Sequence, residues 1–156
     1  MNSSPANNFI LRLAIAGLFL SVGLEKINDG WLYNAEPLTT ALNNYHEKAS
    51  GAQLSYLDHV AIPYAGLWSK LMAVGETALG ISLLLGLLVR LSTLIGIIMV
   101  ISFHAANGTL YSINFFGSPW GALLLAGMLV MFLSRAGRWL GGDALLAKWN
   151  SNGALW

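Results

Sequence analysis

The residue whose side chain is best suited to carry out chemistry is Glu76, a carboxylate inside the apolar run AVGETALGISLLLGLL. A charged side chain at the centre of a membrane costs about 2.5–3.5 kcal/mol on insertion scales, so such residues are rare and face the protein interior. A carboxylate at that depth can hold a proton or bind a ligand. It can also act only as a hydrogen bond between helices, which Gly75 and Gly80 would favour by allowing close approach. We predict the catalytic or ligand-handling role and keep the helix contact as the alternative.

Four further polar residues are candidates for ligand binding: Lys26, Lys70, His104 and Asn107. Because they lie near the outer ends of apolar stretches, they would outline a polar funnel that ends at Glu76. His104 could hydrogen-bond a quinone carbonyl, relay a proton or bind a metal, or it could simply bond to a neighbouring helix. Lys70 has a competing interpretation, in which its ammonium reaches the membrane interface.

The sequence offers no conventional redox or metal motif. His46 and His59 have a spacing that fits no compact ligand motif, and we predict no metal site. The chain has no cysteine, which removes disulfides, thiolate chemistry and cysteine-ligated clusters. It also has no CxxCH haem motif and no GxGxxG fingerprint. We therefore expect no covalently bound cofactor and no catalysis by this chain alone.

The composition identifies the environment in which these residues must be held. The 156 residues are 56% hydrophobic and only 10% charged, whereas soluble domains carry about 25% charged residues. Such a chain is too hydrophobic to be disordered, and its few charges could not cover a water-exposed surface. The net charge of +1 gives no reason to expect nucleic acid as a partner. The composition predicts a small integral membrane protein.

Four apolar stretches are long enough, or nearly long enough, to cross a bilayer, which requires about 20 residues. They cover residues 9–27, 64–88, 91–107 and 119–134. We predict an all-α fold, a single transmembrane domain over residues 1–156 that forms a four-helix bundle. A long outer loop, residues 28–63, would connect the first two helices, and an amphipathic tail, residues 137–156, would lie on the membrane surface.

The distribution of basic residues predicts the orientation. With four spans, five of the eight basic residues fall on the side that holds both termini: Arg12, Arg90, Arg135, Arg138 and Lys148. Since cytoplasmic loops carry the excess of Lys and Arg, both termini are expected in the cytoplasm. Arg12 and Arg90 would then serve as anchors at the inner leaflet.

Three segments together resemble the DoxX/DoxD family of membrane proteins. Residues 11–27, LRLAIAGLFLSVGLEKI, are similar to its opening helix, and residues 74–94, VGETALGISLLLGLLVRLSTL, to its second helix. Residues 137–147, GRWLGGDALLA, resemble its closing glycine-rich stretch, with Asp143 as the aspartate. The matching positions are Arg12, Gly17, Gly23, Lys26, Glu76, Gly80, Gly86 and Arg90. The third and fourth stretches show little that can be matched.

The resemblance implies a four-helix protein of the bacterial inner membrane. Some members are subunits of a thiosulfate:quinone oxidoreductase, others accompany membrane-associated redox complexes, and distant relatives act as assembly or cargo factors. It implies a subunit of a quinone-linked redox complex, with the lipid bilayer and other membrane or periplasmic subunits as partners. The alternative is a non-catalytic structural or assembly subunit. A small transporter is a weaker interpretation, because the sequence has no internal inverted repeat.

Overall fold

The computed structural model describes residues 5–149, without the side chains of Pro119 and Trp149. The described chain is helical and contains no strand. Its α-helices are α1 (Pro5–Asn28), α2 (Glu36–His46), α3 (Gly51–Tyr56), α4 (Ala65–Leu85), α5 (Val89–Ala106), α6 (Asn114–Gly117), α7 (Leu124–Ser134) and α8 (Asp143–Trp149). Two π-helical turns, Leu57–Ala61 and Pro119–Leu123, precede α4 and α7, and a 3₁₀ turn spans Thr109–Tyr111.

The four longest apolar helices contact one another in a closed order. Helix α1 packs against α4 and α7, and α5 packs against the same two helices. The buried side chains between them form the main apolar core, which includes Phe19, Leu83 and Met128. Small residues allow this packing, because a Cβ added to Gly96 of α5 would collide with the Met128 side chain of α7.

Helices α4 and α5 are joined by a very short turn. Gly86 ends α4 in the left-handed region at φ 64°, and Leu88 precedes α5 at φ 52°. A side chain on Gly86 would also meet the Arg12 guanidinium. Glycine is therefore required there for both its backbone conformation and the space it leaves. The turn makes α4 and α5 antiparallel neighbours.

The segment between α1 and α4 folds over one end of this helical assembly. Helix α2 contributes the buried Leu38 and Leu42 to a second apolar cluster, and the π-turn adds Leu57 and Ala61. Gly51, at φ +56°, begins α3 after the short connection from α2. The segment predicted as an outer loop is thus largely helical, and residues 38–57 indeed carry a weak helical pattern in the sequence that is broken at Gly51.

Two helices are long and apolar enough to cross a membrane: Ala65–Leu85 and Val89–Ala106. Only 28% and 44% of their most apolar windows are buried inside the protein. A core helix of a soluble protein would be mostly buried, so these helices present their apolar side chains outward. A shorter apolar helix, Trp120–Ser134, has the same character.

The helices correspond closely in position to the apolar stretches, with two differences. The predicted stretch 119–134 is not one continuous helix: it begins with a π-helical turn and is kinked at Gly121, whose torsion angles, φ −93° and ψ −115°, are non-helical. The predicted tail, 137–156, starts irregularly and becomes helical only at Asp143. Its residues 150–156 lie outside the described part of the chain.

Candidate functional site

The Lys26 ammonium and the Glu76 carboxylate form an ion pair between α1 and α4. The Nζ of Lys26 donates to Oε2 of Glu76 at 2.5 Å, and the two side chains are 16% and 14% exposed. The ammonium also lies 5.5 Å from the centroid of the Trp31 ring, within the range of a cation–π contact. The carboxylate predicted to lie within the membrane therefore has Lys26 as its counterion. Contact between the two opposite charges lowers the free energy cost of burying either one.

Close packing of α1 on α4 brings the two charges together. A Cβ added to Gly23 would lie 2.5 Å from the backbone nitrogen of Thr77, and one added to Gly80 would lie 2.7 Å from that of Leu20. The hydroxyl of Thr77 donates to the carbonyl of Ala73 at 2.8 Å, within its own helix. Close backbone contact at Thr77 and Gly80, directly after Glu76 in α4, thus fixes the distance across which Lys26 reaches the carboxylate.

The ion pair borders a large apolar cavity of about 590 Å³. Its walls come from α1, α4 and α5, α2 covers it, and Trp120 and Leu124 complete one side. Lys26 and Glu76 are the charged residues among the described side chains that line it. Tryptophans and other aromatic residues are prominent in the wall: Trp31, Tyr45, Trp68, Phe103 and Trp120. Pockets for small organic ligands commonly have this volume and this mixture of apolar walls and few polar groups.

The other predicted ligand residues lie outside this cavity. Lys70 is exposed on α4 and does not line it. Asn107 ends α5, where its side-chain oxygen accepts from the backbone nitrogen of Thr109 at 2.9 Å and from its hydroxyl at 2.6 Å. The structure thus brings Lys26 and Glu76 together at the cavity and places Lys70, His104 and Asn107 elsewhere.

His104 is almost fully buried and does not line the cavity, but it contacts two residues that do, Phe103 and Trp120. Its Nε2 lies 2.8 Å from the carbonyl oxygen of Trp120, and its Nδ1 lies 2.6 Å from the hydroxyl of Thr109. Because a carbonyl only accepts, Nε2 carries a hydrogen and donates it. The rings of Phe103 and Phe115 pack edge-on against the imidazole. His104 therefore holds the start of α7, and with it the Trp120 side chain, against α5.

The outer histidines bond to nearby groups. His46 lies 2.8 Å from a carboxylate oxygen of Asp58, and the Nδ1 of His59 lies 2.8 Å from the carbonyl of Ser55. Within residues 5–149, no group of three or more His, Asp or Glu side chains is arranged to hold a metal ion.

At the opposite end of the molecule, Arg12 is completely buried. Its Nη1 donates to the carbonyls of Ala136 at 2.8 Å and Trp139 at 3.3 Å, and its Nη2 donates to Leu140 at 2.8 Å. The sequence interpretation placed this residue at the inner leaflet as an anchor. The guanidinium is instead used inside the protein, where it satisfies the carbonyls that follow α7.

Asp143 binds the free N–H groups at the beginning of α5, as Arg12 binds the carbonyl groups after the end of α7. Its carboxylate accepts from the backbone nitrogens of Leu88 at 2.6 Å and Val89 at 3.1 Å. A negative charge at a helix N-terminus is stabilised by its unpaired N–H groups. Burial raises the pKa of Asp143, and these two N–H donors and the charge of Arg12 oppose that rise. The sequence interpretation noted Asp143 only as part of a motif, because the helix that it caps is more than fifty positions away.

The remaining predicted topology residues surround this end of the protein. The Arg90 guanidinium lies 4.6 Å from the centroid of the Phe132 ring. Arg135 ends α7 in the left-handed region at φ 51°. Arg138 is close enough to Asp143 to favour its ionised form. These contacts tie α5, α7 and the segment before α8 together.

A family model described as DoxX matches residues 8–106, a region that contains nearly all of α1, the whole of α2 to α5, the ion pair and most of the cavity lining. Neither the curated proteins nor the solved structures gave a match.

Proposed function

The chain belongs to the DoxX family, a membrane protein family in contact with the lipid bilayer, and from this premise we propose that it is the ligand-binding membrane subunit of a quinone-linked redox complex. In the proposed arrangement, α1, α4, α5 and α7 span the bacterial inner membrane as a four-helix bundle. The cavity binds the quinone, and Lys26 and Glu76 contact its polar head. A partner subunit delivers the electrons, because the sequence carries no redox motif of its own.

The observation that supports this proposal is the ion pair in the cavity wall. If the ion pair served only to join α1 to α4, the two charges would have to meet, but they would not need to border an open space of about 590 Å³. A quinone takes up two electrons and two protons when it is reduced. The ammonium of Lys26 can donate a hydrogen bond to a ligand oxygen, and the carboxylate of Glu76 can hold a proton beside it. Apolar and aromatic walls suit the ring and the hydrocarbon tail.

Binding of decylubiquinone to the purified protein in lipid nanodiscs tests the proposal. Three tryptophans line the cavity, so a quinone bound there would quench their fluorescence. We expect saturable quenching by wild type and at least about tenfold weaker binding in Glu76→Gln and in Lys26→Met, since a hydrogen bond to a charged group contributes about 1.5–3 kcal/mol. Glu47→Gln, the same change on the exposed outer segment, is the matched control and should bind like wild type.

A charge-swapped variant separates binding from packing. Lys26→Glu combined with Glu76→Lys keeps an ion pair between α1 and α4 but reverses the position of donor and acceptor at the cavity. We expect the swapped protein to recover the thermal stability lost in the single variants without recovering quinone affinity. Wild-type affinity in the swapped protein, or unsaturable quenching in wild type, would contradict the proposed function.

A second candidate function, a structural or assembly subunit, is favoured by a different observation. Three large side chains at the outer end are unusually exposed: Tyr33 at 93%, Ile113 at 80% and Phe116 at 72%. Exposed apolar side chains of this kind occur at protein interfaces. If they bind a partner subunit, Ile113→Ser combined with Phe116→Ser will shrink the native complex extracted from membranes in mild detergent. An unchanged complex size would argue against this function.

A further inference from the structure

Helices α4 and α5 separate as they leave their shared turn. Near the turn, the hydroxyl oxygens of Ser82 and Ser92 are 2.6 Å apart. In the middle, a Cβ added to Gly75 would lie 3.4 Å from the terminal carbon of Met99, so side chains rather than backbones fill the gap. The cavity begins near this level, where Gly75, Ile95 and Met99 line it, and extends away from the turn as far as Trp68 and Ala106. The cavity therefore occupies the wide end of a wedge between two apolar helices.

The side chains along this wedge are exposed on the lateral surface of the protein. From α4, Leu71 lines the cavity and is 46% exposed; from α5, Ile95, Ile98 and Phe103 line it and are 43%, 54% and 43% exposed. Each of these side chains thus contacts both the cavity and the exterior. We refer to these four residues as the α4–α5 seam. The two helices that form it are those apolar enough to cross a membrane, so the exterior at the seam is hydrocarbon.

Other sides of the cavity are closed by direct packing. Helix α1 meets α4 at backbone distance around Gly23 and Gly80. Gly96 of α5 lies against the side chain of Met128 in α7. The buried Leu38 and Leu42 of α2 cover the outer end. Trp120 also lines the cavity and is 45% exposed, but it belongs to the turn before α7. Among the spanning helices α4 and α5, the seam is the side on which only half-exposed apolar side chains separate the cavity from the exterior.

We infer that the cavity opens sideways into the bilayer through the α4–α5 seam and takes a lipid-borne amphiphile whose apolar tail lies in the seam and whose uncharged head reaches Lys26 and Glu76. This inference rests on the proposed function in treating the cavity as a ligand site, and it adds the route of access and the class of the head group.

The ion pair determines which head groups fit. Lys26 and Glu76 neutralise each other in a wall that is otherwise apolar, so a charged head would leave one net charge in a site of low polarity. An anionic head would compete with the carboxylate for the ammonium, and a cationic head would compete with the ammonium for the carboxylate. A hydroxyl or phenol can donate to Glu76 and accept from Lys26 without adding charge.

Access is measured with a nitroxide label inside the cavity. The chain has no cysteine, so Ser102→Cys, at a residue that lines the cavity, can be labelled at a single position in nanodiscs. The rate at which the label collides with oxygen, which concentrates in hydrocarbon, is compared with the rate at which it collides with water-soluble nickel ethylenediaminediacetate. Ile81→Cys, 47% exposed on α4 and outside the cavity lining, is the hydrocarbon reference, and Glu47→Cys is the aqueous reference.

We expect the label at position 102 to show the oxygen-dominated accessibility of the label at 81. Adding Ile98→Trp should narrow the seam and reduce oxygen collisions at 102 at least about twofold, whereas Ile81→Trp, the matched control, should not. If the label at position 102 collides mainly with the nickel complex, or is inaccessible to both reagents, the inference of lateral access is overturned. If the Ser102 variant does not fold, Met72→Cys probes the same cavity from α4. The measurement needs no quinone, so its failure is distinguishable from failure of the proposed function.

The head group is tested with three additives that share one hydrocarbon chain. Oleyl alcohol, oleate and oleylamine are added at equal mole fractions to nanodiscs that contain the label at position 102. We expect oleyl alcohol to lower oxygen collisions by occupying the cavity, and this effect to disappear in Glu76→Gln. An effect of oleate or oleylamine equal to that of the alcohol, or no effect of any additive, would overturn the assignment of an uncharged head.

Discussion

The charged side chains in the apolar part of this molecule are stabilised in two different ways. Lys26 and Glu76 pair with each other across two helices, whereas Arg12 is surrounded by backbone carbonyls. The pair retains groups that can bond to a third partner at the cavity. Both terminal nitrogens of the arginine already donate to backbone carbonyls, so the residue has a structural role. Under the proposed function, charged residues bind a ligand at one end of the molecule, whereas at the other end Arg12 holds the segment after α7 against α1.

Replacing Arg12 should destabilise the protein without a direct effect on the cavity. Arg12→Met removes the donors to Ala136, Trp139 and Leu140, and an unsatisfied buried polar group costs about 1–3 kcal/mol. We expect a clear fall in the melting temperature of the purified protein in detergent, and a smaller one for Arg12→Lys, which keeps the charge but loses the planar fork. Lys148→Met, on the exposed side of α8, is the control. A melting temperature unchanged in Arg12→Met would refute the structural role.

Individual residues differed in how far the sequence could predict them. Glu76 stands out because its neighbours are apolar, and Lys26 could be placed at a similar depth. Their contact could not be derived, since depth leaves the rotation of each helix about its axis undetermined. Depth alone left His104 with two interpretations, a contact to a ligand and a bond to a neighbouring helix, and in the structure it bonds to the carbonyl of Trp120. That contact depends on how residues 107–120 return to α7, which hydrophobic periodicity does not encode.

At the scale of helices, apolar runs located the long elements and small residues determined how tightly they pack. Glycine at positions 23 and 80 lets α1 and α4 touch along their backbones. The helical character of residues 36–61 was only partly indicated, because its pattern is weak and interrupted at Gly51. The π-helical turn before α7 had no sequence signal apart from Gly121. Local patterns therefore predicted where helices lie better than how they begin.

A single methyl group at position 80 should separate α1 from α4. In Gly80→Ala, the added Cβ would meet the backbone nitrogen of Leu20 at 2.7 Å and the carbonyl of Ala16 at 3.0 Å, and backbone atoms cannot move aside as a side chain can. We expect a loss of about 1–3 kcal/mol, typical of overpacking, measured as reduced resistance to unfolding in detergent.

Gly66→Ala is the matched control for this prediction. It lies in the same helix, and nothing lies within 4 Å of its added Cβ. Since alanine favours helix over glycine by about 1 kcal/mol, this variant should be as stable as wild type or more stable. If both alanine variants behave alike, close packing at Gly80 does not hold α1 against α4.

At the scale of the whole molecule, the two ends are chemically distinct. One end carries the covering helix α2, the cavity and the histidines, and the other carries the contacts of Arg12 and Asp143. Basic residues collect at the second end, and the positive-inside rule predicts that this end faces the cytoplasm. In the proposed orientation the cavity would lie in the outer half of the bilayer, where a periplasmic partner could exchange electrons with its ligand.

Single cysteines test this orientation in intact cells. We expect Glu47→Cys, on the outer segment, to react with a membrane-impermeant maleimide added from outside. Lys148→Cys, on α8, should react only after the membrane is permeabilised. Both positions are exposed, so accessibility within the protein does not distinguish them. Labelling of Lys148→Cys in sealed cells would reverse the proposed orientation.

The buried arginine also has a consequence for biosynthesis. Arg12 is synthesised well before the carbonyls that bind it, which belong to residues 136, 139 and 140. Until more than a hundred further residues have been synthesised, the guanidinium must remain hydrated or bound to lipid phosphate. The contacts that hold α1 at this end of the molecule can therefore form only after residues 136–140 have been synthesised and have docked against it.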